Sequence, residues 1–241
     1  MHMGSQTDAI RHRPGIRELS QNIAGAVALM VLGVVAGLAS ASVVSPLYAT
    51  IGTEWPAFGE LLNGNLVQPG FGLVAAGYIW WRGDYNPFDR IQTPSIEGVA
   101  WIGLTPIVYE LTSRVVTPLL PMIGLSNSAH SGGTMKWRVF LEEPELIVPG
   151  LIVMFVILAP MEELLYRGVV HDTLGRTIGA PSRVLLSGLL FGGMHLIYGG
   201  LASVLLTTTF GLLAAASYER TENLVVPIMA HAGYWFFFVP L

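Results

Sequence analysis

Apolar runs separated by short breaks of proline, glycine or charge fill the chain from residue 23 to its end. A run of roughly 18–24 apolar residues is long enough to cross a bilayer as a helix. The pattern predicts seven such helices, at about 23–43, 66–81, 99–123, 146–170, 183–198, 201–218 and 224–241. Ser45-Pro46 is expected to end the first. Gly199-Gly200 is expected to divide the fifth from the sixth, and the polar turn 219–223 to introduce the seventh. A transmembrane barrel would require short alternating strands, and the sequence has none.

Details within the runs refine this map. Gly33 and Gly37 have the small-xxx-small spacing that lets helices approach closely. Trp80 and Trp81 beside Arg82 read as interface anchors. Glu110 and Arg114 are four residues apart and predict a helical ion pair facing the bundle. The segment 48–65 holds Glu54 and Glu60, and 126–145 is rich in Ser and Gly before turning acidic; His130 within it reads as solvated. With no internal repeat and no long linker, the expectation is a polar cytoplasmic segment at 1–22 followed by a single transmembrane bundle at 23–241.

Composition supports the membrane reading. The chain of 241 residues is 52% hydrophobic and 12% charged, with mean hydropathy +0.59. Soluble domains average about 25% charged residues. The fold class is therefore an all-α polytopic helix bundle with lipid as its surroundings, expected in the cell (plasma) membrane. A net charge of −4 without a basic patch gives no sign of a nucleic-acid partner. The absence of cysteine excludes disulfides, thiolate metal sites and a thiol nucleophile. The first run has no clear cleavage site after it and reads as an uncleaved span. An N-in, C-out arrangement puts Arg11, Arg13, Arg17, Arg82, Arg90, Arg167, Arg176, Arg183 and Arg220 on the cytoplasmic side and only Lys136 and Arg138 outside, as the positive-inside rule requires.

The feature that composition does not explain is Glu162-Glu163, in the fourth run just past Pro160. An ionisable group at membrane depth costs about 2.5–3.5 kcal/mol on insertion scales. Helical phase separates the two acids. Glu163 shares a face with Arg167 and can pair with it, whereas Glu162 is rotated about 100° away toward Tyr166. Glu162 is thus the acid available for chemistry, and Pro160 is expected to kink the helix before it.

Histidines in two later runs could complete a site. His195 lies in Phe191-Gly192-Gly193-Met194-His195, where small residues permit a close helix neighbour; His231 lies in Pro227-Ile228-Met229-Ala230-His231. Each alone reads as an interhelical donor. Together with Glu162 they could position a water, deprotonate it and donate to an oxyanion. They could also bind zinc as a three-ligand set, a weaker reading because each comes from a separate helix; no cofactor is the expectation. Ser187, Ser203 and Thr207 read as hydroxyls bonded to their own helices. No Gly-x-Ser-x-Gly elbow and no His-Glu-x-x-His helix is present. His171, just past the acids, is expected to be solvated.

Three motifs in order, Ala159-Pro160-x-Glu162-Glu163-x-x-x-Arg167-Gly168, Phe191-x-x-x-His195 and Asn223-Leu224-x-x-Pro227-Ile228-x-Ala230-His231-Ala232, resemble those of the CPBP family. This group contains type II CAAX prenyl proteases and bacteriocin-processing and abortive-infection proteins. The resemblance covers about 151–237 and implies an intramembrane glutamate protease acting on a membrane-associated protein or peptide. It implies that Glu162 and His195 activate a water and that His231 stabilises the oxyanion, with Phe191, Glu163 and Arg167 in support. The family's third motif continues to an Asn four residues after the histidine, and here that position is Trp235. An indole N–H donates one hydrogen bond and cannot accept. The alternative implied by this departure is a catalytically impaired scaffold or immunity protein. The earlier runs carry no signature of the family, and depth estimates of roughly 10 Å for His231 and 18 Å for His195 do not coincide.

Overall fold

The computed structural model describes residues 14–125 and 141–237. The expectations for Arg11, Arg13, His130, Lys136 and Arg138 lie outside these residues. Among the described residues the chain is helical and has no strand. The helices are α1 (Ile16–Glu54), α2 (Pro56–Asn63), α3 (Gln68–Arg82), α4 (Ile96–Val116), α5 (Pro144–Leu174), α6 (Ala180–Met194), α7 (Leu196–Thr221) and α8 (Val225–Phe237). Three are long and apolar enough to cross a membrane: α1, α5 and the Gly199–Thr221 part of α7. Many of their large apolar side chains, among them Val31, Val35, Val43, Val148 and Val156, point outward. In water that would be unfavourable, but in lipid it is the expected arrangement.

Several expected boundaries move. α1 continues through Pro46 to Glu54, so Ser45-Pro46 does not end it. A proline removes one backbone donor but leaves the rest of the helix bonded, and the Thr50 hydroxyl donates to the Pro46 carbonyl at 2.9 Å. At 39 residues α1 is about 58 Å long, well beyond a hydrocarbon core of about 30 Å. The break after the fifth run comes earlier than Gly199: α6 ends at Met194, His195 occupies the turn, and Gly200 adds a second departure at φ 65°. Arg114 does pair with Glu110 at 2.8 Å, but its side chain is 64% exposed, so the cation faces outward rather than into the bundle.

Glycines set the closest helix crossings. A Cβ on Gly70 would fall on the backbone of Ala36 and Gly37, so α3 lies directly against α1. Gly33 faces Leu165 of α5 and Phe71 of α3, as its spacing suggested. Ser40 then secures the entry to α3: its hydroxyl lies 2.8 Å from the Gly37 carbonyl and 3.0 Å from that of Leu66. On the other side Gly188, Gly192 and Gly211 bring α6 against α7, with Gly192 against Thr208 and Gly188 against Leu212. The core between these pairs is built around Leu165, Tyr166, Val169 and Val170 of α5, all fully buried.

Candidate active site

The middle of α5 carries the site. Its turns widen to π-helical geometry over Val153–Leu158 and again over Leu164–His171, leaving Ala159–Glu163 as a short α-helical piece between them. The expected effect of Pro160 is met by widened turns on either side, and the helix continues. Wider turns shift the hydrogen-bonding register, and such turns recur at functional sites. Both acids are buried, Glu162 at 2% exposure and Glu163 at 0%.

Glu163 is the more heavily partnered acid. It receives the Arg167 guanidinium at 3.0–3.1 Å, the pair that helical spacing predicted. It also lies 2.7 Å from His231 Nδ1. A carboxylate can only accept, so Nδ1 carries the proton and Nε2 is the ring atom left for other work. Arg167 is fully buried; it donates to the Gly211 carbonyl at 3.1 Å and lies 4.5 Å over the Phe191 ring. A guanidinium between a carboxylate, a carbonyl and an aromatic face is desolvated but well compensated.

Glu162 faces a different neighbour. Gln68 Nε2, from the first residue of α3, donates to Glu162 Oε2 at 3.3 Å. His231, Glu163 and Arg167 all lie within its electrostatic reach.

His195 sits in the turn after α6, half-buried, with Nδ1 3.0 Å from the Phe191 carbonyl. Since a carbonyl accepts only, the neutral ring is protonated at Nδ1 and presents the Nε2 lone pair. Phe191 links the set. Its ring centroid is 5.1 Å from that of Tyr166, 5.3 Å from His195 and 6.1 Å from His231. Both histidines thus lie against one shared ring, with His195 at a helix end.

Trp235 packs its ring on His231 with centroids 4.4 Å apart. The two ring planes are tilted 59° to each other. Among the described residues no group of three or more His, Asp or Glu side chains is arranged to hold a metal ion. Glu162, His195 and His231 do not form such a group.

Sequence reasoning missed four contributors. His171 is not solvated: it is 1% exposed and its Nε2 lies 3.0 Å from Glu219, which also binds Arg183. The continuation of α5 beyond residue 170 and its packing on Tyr218 carry His171 inward. Asn223 ties the loop before α4 to the start of α8, donating to the Gln92 carbonyl at 2.8 Å and accepting from the Gln92 N–H at 3.3 Å. Glu143 caps α2 from 86 residues away, accepting from the N–H groups of Ala57 and Phe58 at 2.9 and 3.0 Å. Gln68 has one local signal, an amide next to Pro69-Gly70 at the edge of an apolar run. Its partner lies 94 residues further on, beyond any periodicity.

Residues 144–237 match the family described as type II CAAX prenyl endopeptidase Rce1-like. This stretch is similar to that family, in line with the CPBP resemblance of the three motifs. The match begins at the start of α5 and runs through α8, so both acids, both histidines, Phe191 and Trp235 fall within it. The chain is also 26% identical over 163 residues to the uncharacterized protein YpbD of Bacillus subtilis (strain 168), covering 67% of this chain and 77% of that one. No solved structure matches the chain.

Proposed function

We propose that this protein is an intramembrane endopeptidase of multi-pass topology that cleaves a membrane-associated protein or peptide with a water activated by Glu162 and His195. The observation that carries this reading is the division of labour between adjacent acids: Glu163 is engaged by Arg167 and His231, while the only side-chain hydrogen bond to Glu162 among the described residues comes from an uncharged amide. In the reaction Glu162 takes one proton from water, and the Nε2 lone pair of His195 orients the same water. The water oxygen attacks the peptide carbonyl carbon. His231, held through Nδ1 by Glu163, donates from its Nε2–H to the developing oxyanion. Collapse of the tetrahedral intermediate breaks the C–N bond, and Glu162 returns its proton to the departing amine.

The full-length protein in detergent or liposomes should cleave an internally quenched farnesylated CAAX peptide, a probe chosen from the family's description. Glu162→Gln keeps the size and removes the base, and should lower kcat by about 10²–10⁴-fold. Full activity in Glu162→Gln would overturn the assignment. An unprenylated version of the peptide tests whether the lipid is required.

The Trp235 ring against His231 supports a second reading, a family member that keeps the bundle and has lost catalysis. In that case wild type and Glu162→Gln would be equally inert toward both peptides, and Trp235→Asn would be the variant expected to gain cleavage.

A further inference from the structure

We propose that Gln68 is a positioning residue of the hydrolytic site: its amide N–H fixes the Glu162 carboxylate, and its amide oxygen takes the second hydrogen of the attacking water. This rests on Glu162 being the base. Gln68 lies in α3, outside the stretch 144–237 that matches the family.

The chemistry of the contact fixes the orientation of the amide. Glu162 Oε2 and the Gln68 side chain meet at 3.3 Å. An ionised carboxylate offers only acceptors, so the amide nitrogen must face it; reversing the amide would oppose two oxygens. The amide oxygen is then directed elsewhere. Gln68 is 6% exposed, and its Oε1 is buried without a hydrogen-bond partner among the described residues. A buried acceptor left unpaired is unfavourable, so the site is suited to a donor that comes and goes.

The attacking water is such a donor. It has two hydrogens, and both must be held if its oxygen lone pair is to point at the carbonyl carbon. Glu162 accepts the hydrogen that leaves as a proton. Gln68 Oε1 accepts the one that remains, shared with the His195 Nε2 lone pair as a three-centre hydrogen bond, and that hydrogen becomes the hydroxyl hydrogen of the new carboxylic acid product. The amide itself gains and loses nothing.

The support behind Gln68 is rigid. Gly70 is seated on the backbone of Ala36 and Gly37, and Ser40 holds the Leu66 carbonyl two residues before Gln68. The side chain therefore starts from a backbone fixed on α1. A displacement of about 1 Å at a positioning group can cost about 10²-fold in rate, and a rigid origin is what prevents it.

Gln68→Met keeps the length and removes both polar atoms. With the farnesylated CAAX peptide as probe and the full chain in liposomes, kcat should fall about 10²-fold while KM stays within about twofold. A residue that only packs the helix interface would not separate kcat from KM in this way. Wild-type kcat in Gln68→Met, or a loss confined to KM, would overturn the proposal. Glu162→Gln measured alongside distinguishes the two failures. If Glu162→Gln is inactive and Gln68→Met is fully active, only Gln68 loses its role; if Glu162→Gln is active, the base assignment fails and Gln68 falls with it. A second measurement needs no turnover: the melting temperature of Gln68→Met should drop in the wild-type background and not in Glu162→Met. Equal drops in both backgrounds would show that the two side chains are uncoupled.

Discussion

Helix α5 carries two polar clusters within three turns, and they are built differently. The first, at Glu162, Glu163 and Arg167, draws its partners from inside the bundle: Gln68, His231, the Gly211 carbonyl and the Phe191 ring. The side chains of Glu163 and Arg167 are 0% exposed. The second, at His171 and Asp172, draws on helix ends and loops. Asp172 accepts from the Tyr85 and Tyr218 hydroxyls at 2.7 and 3.3 Å and lies 3.6 Å from Arg90, whose side chain is 40% exposed. Burial and the Asp172 charge both hold the Tyr85 phenol above its ordinary pKa, so it remains a donor. Water can replace a lost partner in the second cluster and cannot at the Glu163–Arg167 pair of the first. Enclosure is what allows the first cluster to hold fixed protonation sites; partial exposure suits the second to fastening a loop to the bundle.

Removing one partner from the enclosed cluster should have the largest effect. Arg167→Leu leaves Glu163 as a buried charge with only His231 to compensate it, at a cost of about 3–5 kcal/mol. The expected outcome is a sharp fall in melting temperature and in recovery from detergent, together with loss of cleavage because His231 is no longer held in place. A variant with an unchanged melting temperature would mean that the Glu163–Arg167 pair is not closed to water, and the contrast between the clusters would fail. Double replacement, Arg167→Leu with Glu163→Leu, should recover part of the stability without recovering activity.

The sharp contrast between these clusters was only partly legible in the sequence. Glu163 and Arg167 are four residues apart on one helix, so their pairing followed from periodicity. Local motifs also marked Glu162, His195, His231 and Phe191, since each sits in a short pattern with its own signature. Contacts that join distant segments were not readable: Gln68 to Glu162, His231 to Glu163, and Tyr85 to Asp172 depend on how helices cross. His171 was misjudged for the same reason. Its burial is imposed by Tyr218 and Glu219 on another helix, and hydropathy around residue 171 carries no trace of them. Helix ends were misplaced where a breaker residue was tolerated, as at Pro46, or where the turn used a residue with no breaking tendency, as at His195.

Asp172 tests the half-open cluster. Asp172→Ala removes the acceptor of two tyrosine hydroxyls and the partner of Arg90, and should cost about 1–3 kcal/mol. Because water can reach this end of the helix, the loss should be smaller than that of Arg167→Leu. Cleavage should persist at temperatures where the variant is folded. A loss of kcat in the folded variant would indicate that the second cluster communicates with the first along α5.

The weakest expected effect lies further out on the same end of the bundle. Arg220 of α7 meets Glu97 of α4 at 3.1 Å, with side chains 67% and 48% exposed. Both charges stay solvated on either side of folding, and holding two long side chains in one geometry costs rotamer entropy. Pairs of this kind contribute about 0.2–1 kcal/mol. Arg220→Ala should therefore shift the melting temperature least of the three variants, and raising the salt concentration should reduce even that difference, since the Debye length falls to about 3 Å at 1 M. The salt dependence separates the cases: screening should barely alter the penalty of Arg167→Leu, whose charges are shielded by the bundle. If Arg220→Ala cost as much as Asp172→Ala and resisted salt, exposure would not be what grades these pairs, and the ordering drawn from burial along the bundle would have to be replaced by one based on which helices each pair joins.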